Sequence, residues 1–141
     1  DDLNRIKKNN IFPGNLRFFK HSNYNEVSNF LSKNHILLAP YEKKFGKNIK
    51  IDTSKYMSPL KIFEYMSAKK AIVCSNHKVL KEVLISNKNA ILCNPDNFKE
   101  WLSALRKLKN KKFRDKLAKN AYKSFSLNYT WKNRVDAILN G

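Results

Sequence analysis

Residues 58–61 read Ser-Pro-Leu-Lys, and this segment combines residue types that can bind a phosphate group. Ser58 is a preferred helix N-cap and Pro59 a preferred first helical residue, so the pattern predicts a helix that begins here. The backbone N–H groups of Leu60 and Lys61 would then lie at a helix amino end, where the partial charge is positive, and the Lys61 ammonium would add to it. The chemistry predicted for this segment is the binding of a phosphate or diphosphate without a glycine-rich loop.

Glu64 adds a carboxylate to the same predicted helix. It lies six residues after Ser58, about 9 Å along the helix axis at ~1.5 Å per residue, and shares a face with Leu60 and Lys61. A carboxylate at that distance can accept hydrogen bonds from the hydroxyls of a ribose whose diphosphate occupies the helix end, as in a nucleoside diphosphate sugar. The alternative is structural: Ser58 and Pro59 only start a helix, and Glu64 pairs with Lys61 on a solvated surface.

The elements that position this segment alternate between apolar strands and amphipathic helices. Periodicity predicts strands within residues 11–19, after a turn, and at 35–40, 71–75 and 90–93. It predicts helices at residues 2–8, 23–33, 58–68, 78–85, 97–109, 111–126 and from Thr130 onward. This order is typical of an α/β fold, a Rossmann-like parallel sheet with helices on both faces. Ligands of such sheets bind at the carboxyl ends of the strands, where the start of helix 58–68 is expected.

The apolar positions of the helices predict which side chains form the core. In helix 23–33 the inward positions are Val27, Phe30 and Leu31. Helix 97–109 carries a stripe made of Phe98, Trp101, Leu102, Leu105 and Leu108. The two helices after it present Phe113, Leu117, Ala121 and Phe125, then Trp131, Val135 and Ile138.

The composition limits the classes of function. The chain has 141 residues, with 29 Lys and Arg against 11 Asp and Glu, a formal net charge of +18. Only five of the basic residues are arginines, the type that base readers and phosphate clamps favour, so we predict a solvated lysine coat and no nucleic-acid partner. Three glycines exclude a G-x-G-x-x-G fingerprint and a Walker loop. No apolar run approaches the ~18–20 residues of a membrane span.

The cysteines and histidines are predicted to be structural. The two cysteines, Cys74 and Cys93, are too few for a disulfide framework or a zinc site. Both fall in predicted strands, which indicates core thiols in a reducing, cytoplasmic location. His35 starts a strand, His77 lies in a turn and His21 precedes a helix cap, so none is a candidate catalytic base.

Four spaced motifs carry a family resemblance: S-P-L-K-I-F-E-Y-M-S-A-K-K-A-I-V from residue 58, V-L-K-E-V-L from residue 79, N-A-I-L followed by Pro95 and Asp96, and Y-T-W at residues 129–131. With the strand and helix pattern of residues 11–40, they resemble the C-terminal, donor-binding domain of GT-B glycosyltransferases of family 4 (glycosyl transferases group 1). The resemblance spans nearly the whole chain. It implies that residues 1–141 are the nucleotide-sugar-binding domain of a longer two-domain protein, whose first strand–helix unit would precede Asp1.

The resemblance also assigns roles to individual residues. In the family the helix amino end holds the donor diphosphate, which implies residues 58–61 here, and the glutamate that ends the E-x7-E motif binds the ribose hydroxyls and falls on Glu64. The first glutamate of that motif faces the donor sugar and falls on Tyr56, which can form a hydrogen bond but carries no negative charge. A second departure is Lys69, where the family has a glycine just past the helix. A left-handed lysine there would be strained, unless the turn differs.

The implied activity is a retaining glycosyl transfer that needs no metal or other cofactor, in keeping with the absence of a D-x-D motif. No catalytic residue is expected in this chain, because the acceptor site and a histidine near the reaction centre belong to the N-terminal domain. We expect a UDP-sugar donor, with an N-acetylhexosamine such as GlcNAc or GalNAc. The expected acceptor is a polyprenyl-diphosphate-linked saccharide of bacterial O-antigen, lipopolysaccharide or capsule synthesis, at the inner face of the plasma membrane.

Alternatives remain open at this stage. One is a non-catalytic basic module that binds nucleic acid or an anionic membrane, and another is a GT-B-like nucleotide-sugar epimerase. The basic segment 106–112 is interpreted as a solvated connection, with contact to anionic lipid headgroups as the alternative. The lysine-rich loop 43–55 is either a lid over the sugar diphosphate or an unstructured connection. Trp131 is expected to pack in the core, or across the hinge between the two domains.

Overall fold

The computed structural model of the protein describes residues 14–19, 23–42 and 59–140. Within these ranges the strands are β1 (Ile36–Ala39), β2 (Ala71–Ser75) and β3 (Ile91–Cys93). The helices are α1 (Tyr24–Ser32), α2 (Leu60–Ser67), α3 (Phe98–Lys107), α4 (Lys111–Asn128) and α5 (Trp131–Asn140), with a short 3-10 helix at Val79–Glu82. The helix predicted at residues 2–8, the loop 43–55 and His21 lie outside the described residues.

The strands form a parallel sheet in the order β1-β2-β3. Ile36 of β1 pairs with Ala71, and Val73 of β2 pairs with Ile91. All five residues of β2 are buried, because a central parallel strand has helices on both faces, and this explains its continuous run of apolar residues. The α/β fold with a parallel sheet predicted from the sequence is confirmed.

Two apolar clusters cover the two faces of the sheet. Alternate residues of β2 point to opposite sides. Ile72 and Cys74 pack with Ile62 and Met66 of α2 in the first cluster. Ala71 and Val73 pack in the second cluster with buried residues of β3, α3 and α4, namely Ile91, Cys93, Ala104 and Leu117. The helix α4 reaches both clusters, since Leu117 belongs to the second and Ala121 to the first.

Side-chain caps fix where several helices begin. The Glu26 carboxylate accepts a hydrogen bond from the Asn23 backbone N–H at 3.3 Å, as the Asn-x-x-Glu spacing predicts. The Asn110 side chain accepts from the Phe113 N–H at 3.0 Å at the start of α4. These caps satisfy N–H groups that a helix leaves unpaired in its first turn.

Two predicted elements differ from the structure. Gly14 and Asn15 form the expected turn, but residues 16–19 are not a strand; instead Phe19 makes an edge contact with Phe30 of α1, with 4.9 Å between ring centroids. The helix predicted at residues 78–85 is only the short 3-10 helix. It ends because the buried Asn89 side chain binds the chain there, accepting from the Ile85 N–H at 2.7 Å and donating to the Val83 carbonyl at 3.2 Å.

Some predicted core positions are exposed. Phe30 is half exposed, and Phe98, the first residue of α3, is 76% exposed. The contact with the second cluster is made further along, by Trp101 and Ala104 of α3 and by Leu108 just after it. Trp131 is 80% exposed, so its predicted place in the core is wrong. The helix α5 turns Asn133 toward the end of α4, where the side-chain amide donates to the Leu127 carbonyl at 2.5 Å. The apolar residues Val135, Ile138 and Leu139 consequently point outward.

Candidate functional site

The candidate site lies at the carboxyl edge of the sheet, where β1 and β2 end and α2 begins. In a parallel α/β unit the helix runs back along the sheet, so its amino end sits at the edge where the strands finish. Ala39 ends β1 and Ser75 ends β2 at this edge. The segment predicted to bind phosphate therefore lies at the start of the helix that packs directly against these two strands.

The amino end of α2 is built from Pro59, Leu60 and Lys61. Pro59 is the N-cap, with φ −80° and ψ 28°, and the helix starts at Leu60, one residue later than predicted because the ψ angle of Pro59 is outside the helical range. The Pro59 carbonyl accepts from the N–H groups of Ile62 and Phe63. The N–H groups of Leu60 and Lys61 precede these first helical bonds and have no acceptor in the part of the chain that the structure describes. Both side chains are exposed. Ser58 and Tyr56 lie outside the described residues.

Glu64 lies one turn further along α2 and is partly buried. Its side chain lines a groove of about 110 Å³ between α1 and α2, together with Val27, Ser28, Leu31, Ser67 and Ala68. The alternative that Glu64 pairs with Lys61 is not supported: both residues are described, and the structure records no ion pair between them. Among the described residues, neither the Glu64 carboxylate nor the Lys61 ammonium forms an ion pair.

Tyr41, which the sequence analysis did not single out, lies beside these residues. The Lys61 ammonium lies over the Tyr41 ring, with its Nζ atom 5.6 Å from the ring centroid. Burial raises the pKa of Tyr41 to about 12, and the nearby Cys74, Tyr65 and Glu64 add to that shift. Tyr41 is therefore neutral throughout the physiological range, and its side chain adds no negative charge beside Lys61.

A buried polar network holds the Tyr41 backbone. Ser75 Oγ accepts from the Tyr41 N–H and donates to the Tyr41 carbonyl, both at 2.8 Å. His77 Nε2 lies 2.9 Å from the same carbonyl oxygen; because a carbonyl only accepts, Nε2 is the protonated nitrogen in this contact. Ser75 and His77 are both buried. The network ties the residue after β1 to the end of β2, 34 positions away in the sequence.

Tyr65 makes a further contact between α2 and β1. Its hydroxyl donates to the Leu38 carbonyl at 3.3 Å. Burial and the neighbouring Glu64 carboxylate raise the pKa of Tyr65. Tyr41 and Tyr65 thus tie the end of β1 to the face of α2 that carries Glu64.

The other residues that the sequence analysis discussed are outside this site. Cys74 and Cys93 are buried in the core clusters, as predicted, and burial raises the pKa of Cys74 to about 12. His77 is structural, as predicted, and His35 is exposed just before β1. Trp101 packs against the second cluster and donates to the Asn94 carbonyl at 3.0 Å. Among the described residues, no group of three or more His, Cys, Asp or Glu could hold a metal ion, and no helix is long and apolar enough to cross a membrane.

Fold and site together define an α/β domain in which an exposed helix amino end lies at the carboxyl edge of a parallel sheet. The chain matches the family model of glycosyl transferases group 1 over residues 3–124. It therefore belongs to the glycosyl transferases group 1 family, as the motif resemblance implied.

A solved structure supports the same fold. The chain is similar to the C-terminal domain of a glycosyl transferase group 1 family protein (LpcC) from Francisella tularensis, with a TM-score of 0.65 and 19% sequence identity. The similarity covers 81% of this chain and 53% of that structure, so the chain spans about half of the structure it matches. A comparison with curated protein sequences gives no match.

Proposed function

We propose that this chain is the C-terminal, donor-binding domain of a retaining glycosyltransferase, and that it binds the nucleoside diphosphate of a UDP-sugar. The complete enzyme would transfer an N-acetylhexosamine to a polyprenyl-diphosphate-linked saccharide in bacterial surface polysaccharide synthesis, at the inner face of the plasma membrane. The observation that carries the proposal is the amino end of α2, where Lys61 and Glu64 are not paired with each other. Membership of the glycosyl transferases group 1 family supports it.

The diphosphate would occupy the amino end of α2. The N–H groups of Leu60 and Lys61 and the Lys61 ammonium would face its oxygens, an arrangement in which hydrogen-bond donors and a cation meet one anion. When the bond from the sugar to the diphosphate breaks, negative charge grows on the leaving phosphate. Donors that are already oriented by the helix stabilise that charge without reorganisation.

The ribose would extend from the diphosphate along α2 toward Glu64. A carboxylate accepts hydrogen bonds from two adjacent hydroxyls, and the groove between α1 and α2 gives Glu64 an open side. Charge-assisted hydrogen bonds of this kind contribute about 1.5–3 kcal/mol. Glu64 is thus expected to supply much of the affinity for the nucleoside, while the helix end supplies affinity for the diphosphate.

Isothermal titration of the chain with UDP tests this assignment. We expect weak binding, which Glu64→Ala lowers by roughly tenfold or more because it removes charge-assisted hydrogen bonds. Lys61→Ala should also lower the affinity, since it removes the cation at the diphosphate. Asp136→Ala and Lys119→Ala are matched controls, because these exposed residues lie on α5 and α4 and change the net charge equally.

The outcome depends on both site variants. If Glu64→Ala and Lys61→Ala bind UDP as the unsubstituted chain does, while their circular dichroism shows an intact fold, the site is wrongly assigned. The reaction is tested on the full-length protein with UDP-, GDP- and ADP-sugars and a lipid-linked acceptor. Transfer from the UDP-sugar supports the proposal, whereas epimerisation of the sugar without transfer contradicts it.

A further inference from the structure

Tyr41 lies after β1, outside any helix or strand, and is held in place by its contacts. Three polar contacts hold its backbone, two from Ser75 Oγ at 2.8 Å and one from His77 Nε2 at 2.9 Å. Its ring packs against the first core cluster. Because Ser75 and His77 are buried, the main chain of Tyr41 is held from inside the protein, while the ring is held by its packing against the first cluster.

Lys61 is held differently, through its charged end. It is exposed, and an exposed lysine samples many rotamers, which carry about 2 kcal/mol of conformational entropy that a ligand contact must overcome. The Tyr41 ring lies 5.6 Å from the Lys61 Nζ atom, within the ~6 Å range of a cation–π contact. The contact favours the rotamers that keep the ammonium at the junction of β1 and the amino end of α2.

We propose that Tyr41 is a positioning residue of the donor site, which orients the Lys61 ammonium toward the diphosphate before the ligand arrives. The inference rests on the proposed function, because it assumes that Lys61 contacts the diphosphate. The aromatic ring is the part of Tyr41 that matters. The hydroxyl is dispensable, since the backbone anchors do not involve it and the cation contact is made by the ring face.

Tyr41→Phe and Tyr41→Leu form a matched pair that separates these parts. Titration with UDP should give nearly unchanged affinity for Tyr41→Phe and a two- to fivefold loss for Tyr41→Leu, the range of an exposed cation–π contact. Both variants keep the backbone contacts to Ser75 and His77. Thermal unfolding of each variant checks the fold, and Tyr41→Met replaces Tyr41→Leu if the leucine variant does not fold.

A double-mutant cycle with Lys61→Ala distinguishes positioning from general stability. If Tyr41 acts through Lys61, Tyr41→Leu loses its effect on UDP affinity once Lys61 is alanine. An equal loss in both backgrounds, or equal affinities of the Phe and Leu variants, overturns the inference and leaves the proposed function intact. If Lys61→Ala and Glu64→Ala also bind UDP normally, the proposed function fails as well.

Discussion

Lys69 lies just after α2 in a backbone conformation that lysine rarely adopts. The effect of replacing it on the free energy of unfolding can be worked out from its contacts. Its φ angle is 56°, in the left-handed region, where an L side chain costs roughly 1–2 kcal/mol and glycine costs almost nothing. The Lys69 ammonium lies 4.2 Å from the centroid of the Tyr122 ring on α4. Such a cation–π contact stabilises the folded chain by about 0.5–1 kcal/mol. Lysine is thus tolerated at a glycine position because its charged end packs on the neighbouring helix.

Replacing Lys69 by alanine or by glycine separates the two effects. Lys69→Ala removes the cation–π contact and keeps the backbone strain, so it should lower the free energy of unfolding by about 0.5–1 kcal/mol. Lys69→Gly also removes the contact but relieves roughly 1–2 kcal/mol of strain, offset by about 0.4–1 kcal/mol of extra entropy in the unfolded chain. We therefore expect the glycine variant to match the original chain and to exceed the alanine variant by about 0.5–1 kcal/mol.

Urea unfolding followed by far-ultraviolet circular dichroism measures these differences. The expected gap between the two variants corresponds to roughly 2–4 °C in Tm for a domain of this size. Equal stability of Lys69→Ala and Lys69→Gly would refute the left-handed assignment. If Tyr122→Leu lowers the free energy of unfolding equally with Lys69 and with alanine at position 69, the contact between Lys69 and the Tyr122 ring does not stabilise the fold.

Three further predictions concern the core and the surface. Burial raises the pKa of Cys74 from 9.0 and of Tyr41 from 10.0, each to about 12. As the pH rises, the unfolded chain therefore loses these protons before the folded chain does. The free energy of unfolding should keep its full value below about pH 9 and fall toward pH 12. Cys74 should resist alkylation at pH 8 until the chain unfolds, and rapid labelling of folded protein would contradict its burial. Ile138→Glu on exposed α5 should change stability by less than about 0.5 kcal/mol, whereas buried Leu117→Ala should cost about 2–5 kcal/mol.

Local sequence signals predicted most of the elements. The strand at residues 71–75 matches β2 at both ends, because a buried parallel strand is recognisable as a short, continuous apolar run. The start of α1 follows from Asn23 and Glu26, whose contact depends only on residues three apart. At Lys69 the family resemblance left two alternatives, a strained left-handed lysine or a different turn, and the φ angle of 56° shows the first.

Side-chain contacts that no local sequence pattern indicates explain what the sequence did not predict. Asn89 shortens the helix expected at residues 78–85 by bonding to Val83 and Ile85, and nothing in an isolated asparagine signals that it will be buried. Tyr41 acquires its place in the site through Ser75, the last residue of β2, and His77, two residues further on. Parallel strands bring such residues together only after the crossover has formed.

The contact between Lys61 and Tyr41 bears on how the domain would bind an anion. If Lys61 were paired with Glu64, binding a diphosphate would first require breaking an exposed ion pair worth about 0.2–1 kcal/mol. A ring holds the ammonium without neutralising it, because the attraction comes from the quadrupole of the aromatic face. The ring therefore restricts the position of the ammonium without placing a negative charge beside it. Among the described residues, Lys61 lies at a helix amino end, over an aromatic ring and one turn from a carboxylate with which it forms no ion pair. For the proposed binding of a diphosphate, this local arrangement is a better explanation than the net charge of +18.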